Sequence, residues 1–129
     1  MALTVAATAA QAMGAALATD IGSAATIEIR TGAKPATPET AATGTLLATV
    51  AISGSFTSSG GVLTSADPAS VSVAASGTAG WFRVKTSGGT AKLDGTVGTS
   101  GADMNLSTTA LVAGGTVDLG VPSITVPVS

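Results

Sequence analysis

Apolar and polar positions alternate with a period of two in the segments of this 129-residue chain that read as strands, and its start follows a different rhythm. From Val5 to Ala18 the residues Ala, Gln, Met and Leu favour a helix. Val5, Ala9, Ala12, Met13, Ala16 and Leu17 fall at helical spacing on one stripe. Thr4 is a candidate cap at the start, Gly22 lies just past the end, and Gly14 is the weak point within. Beyond Ala24 the period changes. Ala25, Ile27 and Ile29 share one face while Thr26, Glu28 and Arg30 share the other, which predicts a half-buried strand. A second strand is expected over Thr45 to Ser53, with Leu46, Ala48, Val50 and Ile52 inward. Further strands are expected over Val62 to Ser65 and Ala69 to Ala75, the latter with Val71, Val73 and Ala75 inward.

The strongest hairpin pattern runs from Thr78 to Gly98, with Gly88 and Gly89 as a tight primed turn. That turn sets Val84 opposite Leu93, Arg83 opposite Asp94, and Lys85 opposite Lys92. Phe82 and Val84 then point to the core, and Trp81, Arg83 and Lys85 point outward or toward a partner. Short strands follow over Met104 to Ser107, Thr109 to Val112, Thr116 to Val121 and Ser123 to Val128. Pro122 and Pro127 restrict the last to an edge or arm. The expected fold is therefore mainly β: an antiparallel β-sandwich, jelly-roll-like, formed by residues 1–129 as one domain with a helical segment over 1–22. Between the first two strands, Gly32 to Gly44 carries Lys34, Pro35, Pro38 and Glu39 among Ala and Thr, a composition for extended, unpaired backbone. A loop of that length predicts an exposed arm held by something outside the monomer.

Composition changes this picture by lightening the core. Hydrophobic residues are 45% of the chain, yet aromatics are only 2%, namely Phe56, Trp81 and Phe82. Charged residues are 9% and the net charge is −2, which excludes a basic nucleic-acid groove. Gly, Thr and Asp20 interrupt the Ala-rich opening, so no run reaches the ~18 apolar residues of a membrane span. Cysteine and histidine are both absent, which removes disulfides, thiol nucleophiles, zinc sites of the usual kind and the commonest general base. The seven carboxylates and five basic residues stand in no catalytic motif, and the aromatic platforms of a sugar-cleaving site are missing. Asp94, Asp103 and Asn105 bracket a Gly-rich loop, but turn-forming side chains account for them better than a calcium site does. Gly95 to Gly101 lacks the Lys-Ser/Thr of a phosphate loop. No enzymatic activity and no cofactor is expected.

One resemblance adds to this reading. The run Ile27-Glu28-Ile29-Arg30-Thr31-Gly32-Ala33-Lys34-Pro35-Ala36-Thr37-Pro38, followed by Ala42-Thr43-Gly44-Thr45-Leu46-Leu47-Ala48, resembles a family of small structural proteins encoded in tailed-phage genomes and prophages. Gly77-Thr78-Ala79-Gly80-Trp81-Phe82-Arg83 and Gly95-Thr96-Val97-Gly98-Thr99-Ser100-Gly101-Ala102-Asp103-Met104-Asn105-Leu106 extend the likeness. It implies a virion component, a capsid decoration (cement) protein on the phage head whose partner is the major capsid protein, and it carries over no catalytic residues. A chain of such small side chains buries little area for each residue it orders, which predicts a marginal isolated monomer. The cement-protein resemblance implies that a homotrimer with arms laid over capsid subunits completes it. The expected interface residues are Lys34, Pro35 and Pro38 on the arm and Trp81, Arg83 and Lys85 on the hairpin. Competing expectations are a tail, baseplate or fibre-associated protein, and a glycan-binding adhesion module.

Overall fold

The computed structural model describes residues 7–52, 54–59, 62–65, 70–118 and 123–125. One helix precedes a mainly β body: α1 (Ala7–Ile21), β1 (Thr26–Thr31), β2 (Leu46–Ala51), β3 (Thr57–Ser59), β4 (Val62–Thr64), β5 (Val71–Ser72), β6 (Gly77–Lys85), β7 (Ala91–Gly98), β8 (Met104–Asn105), β9 (Ala110–Leu111), β10 (Thr116–Val117) and β11 (Ser123–Thr125). The main sheet has the order β2-β1-β6-β7-β8, antiparallel except for the parallel β7–β8 pair, and β9 pairs with the start of β6. β3, β4 and β11 form a second sheet, and β5 with β10 a third. The curled sheet and its short companions are what the structure supports of the expected fold class.

Alternation places the core. Ala25, Ile27 and Ile29 are fully buried, and they join Val50, Phe82 and Val84 from the main sheet to Phe56, Leu63, Val73 and Val117 from the smaller elements. This is the inward face expected of β1. In β2 a register shift between Ile29 and Arg30 skips Leu47, so Leu47 is buried along with Ala48 and the strict alternation is broken.

The helix lies on the β3–β4 hairpin, but not by the expected stripe. Ala9, Ala12, Met13 and Ala16 are exposed, while Gly14, Ala18 and Ile21 are buried and Leu17 is half-buried; Val5 and Thr4 lie outside the described residues. An alanine-rich helix has almost no amphipathic signal, so its buried face is chosen by what it touches. Gly14 is that contact, because a Cβ there would collide with the Ser58 hydroxyl. Gly22 ends the helix with a φ of 76° and an amide bonded to the Ala18 carbonyl at 3.0 Å.

The β6–β7 hairpin sets Arg83 opposite Asp94 and Val84 opposite Leu93, as expected. Its turn is longer than expected. Thr86 and Thr90 close a loop in which Gly89 alone of the two glycines has a positive φ, 91°, and a register shift then places Lys85 opposite Ala91. The expected Lys85–Lys92 juxtaposition is thereby removed, and Lys92 instead meets Asp20 of the helix at 3.0 Å.

The segment expected to be a free arm folds back on its own sheet. Its base is closed by the Thr31 amide on the Thr45 carbonyl at 3.1 Å and the Thr45 amide on the Thr31 hydroxyl at 2.9 Å. Gly44 holds a φ of 78° there, where a side chain would strike the Thr31 carbonyl.

Candidate functional site

The face of the main sheet turned away from the core carries Glu28, Arg30, Arg83, Lys85 and Asp94, and pairing across the strands explains how. Glu28 is registered against Thr49 on one side and Arg83 on the other, and Arg83 against Asp94, so one row across four strands reads Thr49, Glu28, Arg83, Asp94. The next row on that face sets Arg30 beside Trp81 and Trp81 beside Thr96.

Arg83 is the centre of the arrangement. Its Nε donates to Asp94 Oδ1 at 2.7 Å and its Nη2 to Asp94 Oδ2 at 2.9 Å, a two-point pair whose side chains are 4% and 3% exposed. Nη2 also donates to the Thr40 carbonyl of the folded-back loop at 2.8 Å. The hydrogen bond to Asp94 raises the guanidinium's pKa above its ordinary value, against the opposing effect of burial. The Arg83 Cζ lies 5.2 Å from the centroid of the Trp81 ring, in cation–π range.

Trp81 is fully buried, yet it stands outside the main hydrophobic cluster. Its indole N–H donates to the Thr31 carbonyl at 3.1 Å, where the loop departs. Beside it Gly80 lies so close to the Gly32 backbone that any Cβ would collide with the Gly32 carbonyl. Glu28 completes the face: Oε1 accepts from Arg30 Nε at 3.3 Å and Nη2 at 3.2 Å, and Oε2 accepts from Lys85 Nζ at 3.1 Å.

The expected interface residues thus fall into two groups. Trp81, Arg83 and Lys85 do share a face with the loop that carries Lys34, Pro35 and Pro38, and Lys34 is exposed while both prolines are half-buried. Exposure of the hairpin trio was the error. Trp81 and Arg83 are sealed beneath their own loop, and Lys85 is tied to Glu28, because one strand has a hydrophobic core on one side and a strap on the other. Asp94, Glu28 and the Thr40 carbonyl are the partners that sequence reasoning left out of the site. The Arg83–Asp94 register contained the signal for the first; a backbone carbonyl on an irregular loop has none.

The calcium candidates are spoken for within the chain. Asp94 binds Arg83, Asp103 Oδ2 accepts from the Thr96 amide at 3.0 Å and hydroxyl at 3.2 Å, and Asn105 Oδ1 accepts from the Ala102 amide at 3.1 Å. These are the local turn bonds that short polar side chains make. A cavity of about 460 Å³ opens between the last turns of α1 and the segment before β3, walled by Ala15, Ala18, Thr19, Phe56 and Ser58. Its walls bear no ionisable group, so it offers shape without chemistry. No protein-family model, curated protein or solved structure matches the chain.

Proposed function

We propose that this is a non-enzymatic virion structural protein, a capsid decoration (cement) protein that binds and stabilises the major capsid shell as a homotrimer. The observation that carries the reading is where the charge goes. Arg30, Lys85 and Glu28, Arg83 and Asp94, Lys92 and Asp20, and Asp103 with Thr96 all bond within the chain, so ionic groups act as internal fasteners. What faces outward is largely Ala, Thr, Ser and Gly, small groups that permit flat, close contact with another protein. The motif resemblance points to a tailed-phage head as the place of that contact. The main sheet and the β3–β4–β11 sheet, which share one core, are read as the two layers of a sandwich.

The strap changes how the contact is pictured. Lys34 and Glu39 lie on its exposed side, so the shell meets the outside of a folded loop and not an extended arm. Locating the protein on purified virions by image reconstruction and counting its copies tests the assignment. Density on the head at shell-like copy number is expected. A few copies on the tail refute decoration in favour of the tail reading, and capture on a glycan array with no virion density favours the adhesion module.

A further inference from the structure

Uncommitted charge lies in one place on the described surface. Lys85 and Arg30 bond Glu28, Arg83 bonds Asp94, and Lys92 bonds Asp20. Asp103 accepts from the Thr96 amide, and Asp118 is engaged as well. Among the described residues this leaves Lys34 and Glu39 as the two charged side chains with neither an ion pair nor a hydrogen bond, and both are exposed. Both stand on the strap.

The strap holds those two side chains on a fixed backbone. Gly32, two residues before Lys34, lies against Gly80, and Pro35 restricts Lys34 itself to extended conformations. Glu39 sits at the tip of a turn, Thr37-Pro38-Glu39-Thr40, closed by the Thr40 amide on the Thr37 carbonyl at 3.1 Å and by the two threonine hydroxyls 3.0 Å apart. The Thr40 carbonyl anchors that turn to Arg83 at 2.8 Å, and Asp94 locks Arg83. Ala33, Ala36 and Ala41 are exposed neighbours too small to screen either charge. A surface ordered in advance loses little freedom on binding.

We propose that the outer side of the strap docks on a mixed-charge patch of the major capsid protein, one that sets an acidic group against Lys34 and a basic group against Glu39. The proposal rests on the decoration reading and adds the chemistry of the partner. Both signs on one rigid segment decide that chemistry. A uniformly acidic partner, such as a nucleic acid or an anionic lipid surface, attracts Lys34 but repels Glu39, so the two charges work against each other. A patch with both signs gains from each and rejects a strap turned end for end. The small uncharged neighbours let the two backbones approach closely enough for such pairs to form. One strap per copy gives a homotrimer three such contacts and leaves the contacts between copies to other surfaces.

Binding of the full chain to phage shells assembled without it, measured over a range of salt concentrations, tests the docking. Lys34→Gln and Glu39→Gln are each expected to weaken binding by about tenfold at low salt. Wild-type affinity is expected to fall toward theirs as salt rises and screens the pairs. Lys34→Arg and Glu39→Asp keep both signs and are expected to bind like the wild type. Trp81 emission, unshifted in all four variants, checks that the strap is still seated. The salt dependence of the wild type needs no substitution and decides the matter should a variant lift the strap. Tightening on Glu39→Gln would overturn the mixed-charge patch in favour of a uniformly acidic partner. Wild-type binding that ignores salt, or that both glutamine variants match, would overturn the docking and leave the decoration reading standing. Shells that take up no wild-type protein would overturn both.

Discussion

Removing the Asp94 carboxylate leaves the Arg83 cation sealed between the sheet and the strap. In Asp94→Ala the guanidinium loses two charge-assisted bonds, at 2.7 and 2.9 Å, and retains one neutral acceptor, the Thr40 carbonyl at 2.8 Å. Exposed ion pairs contribute about 0–1 kcal/mol, but breaking a buried one costs about 3–5 kcal/mol because the remaining charge is uncompensated. With side chains only 4% and 3% exposed, the second regime applies. A cost of about 4 kcal/mol, spread over an unfolding entropy of ~2.1 cal/mol/K per residue for 129 residues, lowers Tm by roughly 15 °C. Replacing both partners by apolar residues, Arg83→Met with Asp94→Leu, is expected to recover most of that loss. Thermal and urea unfolding, followed by the fluorescence of Trp81 in a chain with no tyrosine, measures all three variants. A loss below about 1 kcal/mol for Asp94→Ala with unshifted Trp81 emission would refute the sealed-pair argument. The Arg83 pKa is raised above its ordinary value by the bond to Asp94, so the cation's contribution is present below the unfolded value and is lost only as pH climbs past the folded one. From neutral pH to about 10, the arginine therefore adds no pH dependence to the difference between wild type and variant.

Three further outcomes follow from the strap. Gly80→Ala forces a methyl against the Gly32 carbonyl, and overpacking of this kind costs about 1–3 kcal/mol; a red-shifted Trp81 emission in the folded state is the accompanying sign that the loop has lifted. Trp81→Ala is expected to cost about 3–5 kcal/mol of stability in dilute monomer, whereas a variant that melts normally but fails to bind partners would return Trp81 to the interface role. Replacing residues 33–43 by a short Gly-Ser turn should leave a folded chain in which acrylamide quenches Trp81 freely; unchanged quenching would mean that something other than the loop covers the ring.

How much of this could be read from the letters depended on whether a bond is made by side chains in register or by backbone at a distance. The Arg83–Asp94 and Val84–Leu93 pairs follow from alternation and turn position, because a strand's period of two fixes which residues can meet. The bulge near Lys92 does not follow, since it depends on Gly89 alone taking a positive φ and on a loop one residue longer. Period two also separated Trp81 from Phe82 correctly. It could not tell that the second face is roofed, because the roof is a stretch of Ala, Thr and Pro fixed by the Thr31 and Thr40 carbonyls. In the helix, alanine at most positions erased the signal, and Gly14 against Ser58 decided the buried side.

The order of strands also sets a timetable for folding. β1 is complete at Thr31, but the neighbour that shields its other side, β6, ends at Lys85, and Thr26 pairs with that last residue. A ribosome therefore releases the helix and the β1–β2 hairpin well before the strand that completes the sheet's middle exists. Distant pairings of this kind slow the search for the native state, since the intervening chain must be looped before the contact rewards it. In the interval the uncharged stretch around β2 is at its most accessible, so yield on expression should depend more on synthesis rate and temperature than the stability of the finished protein alone would indicate.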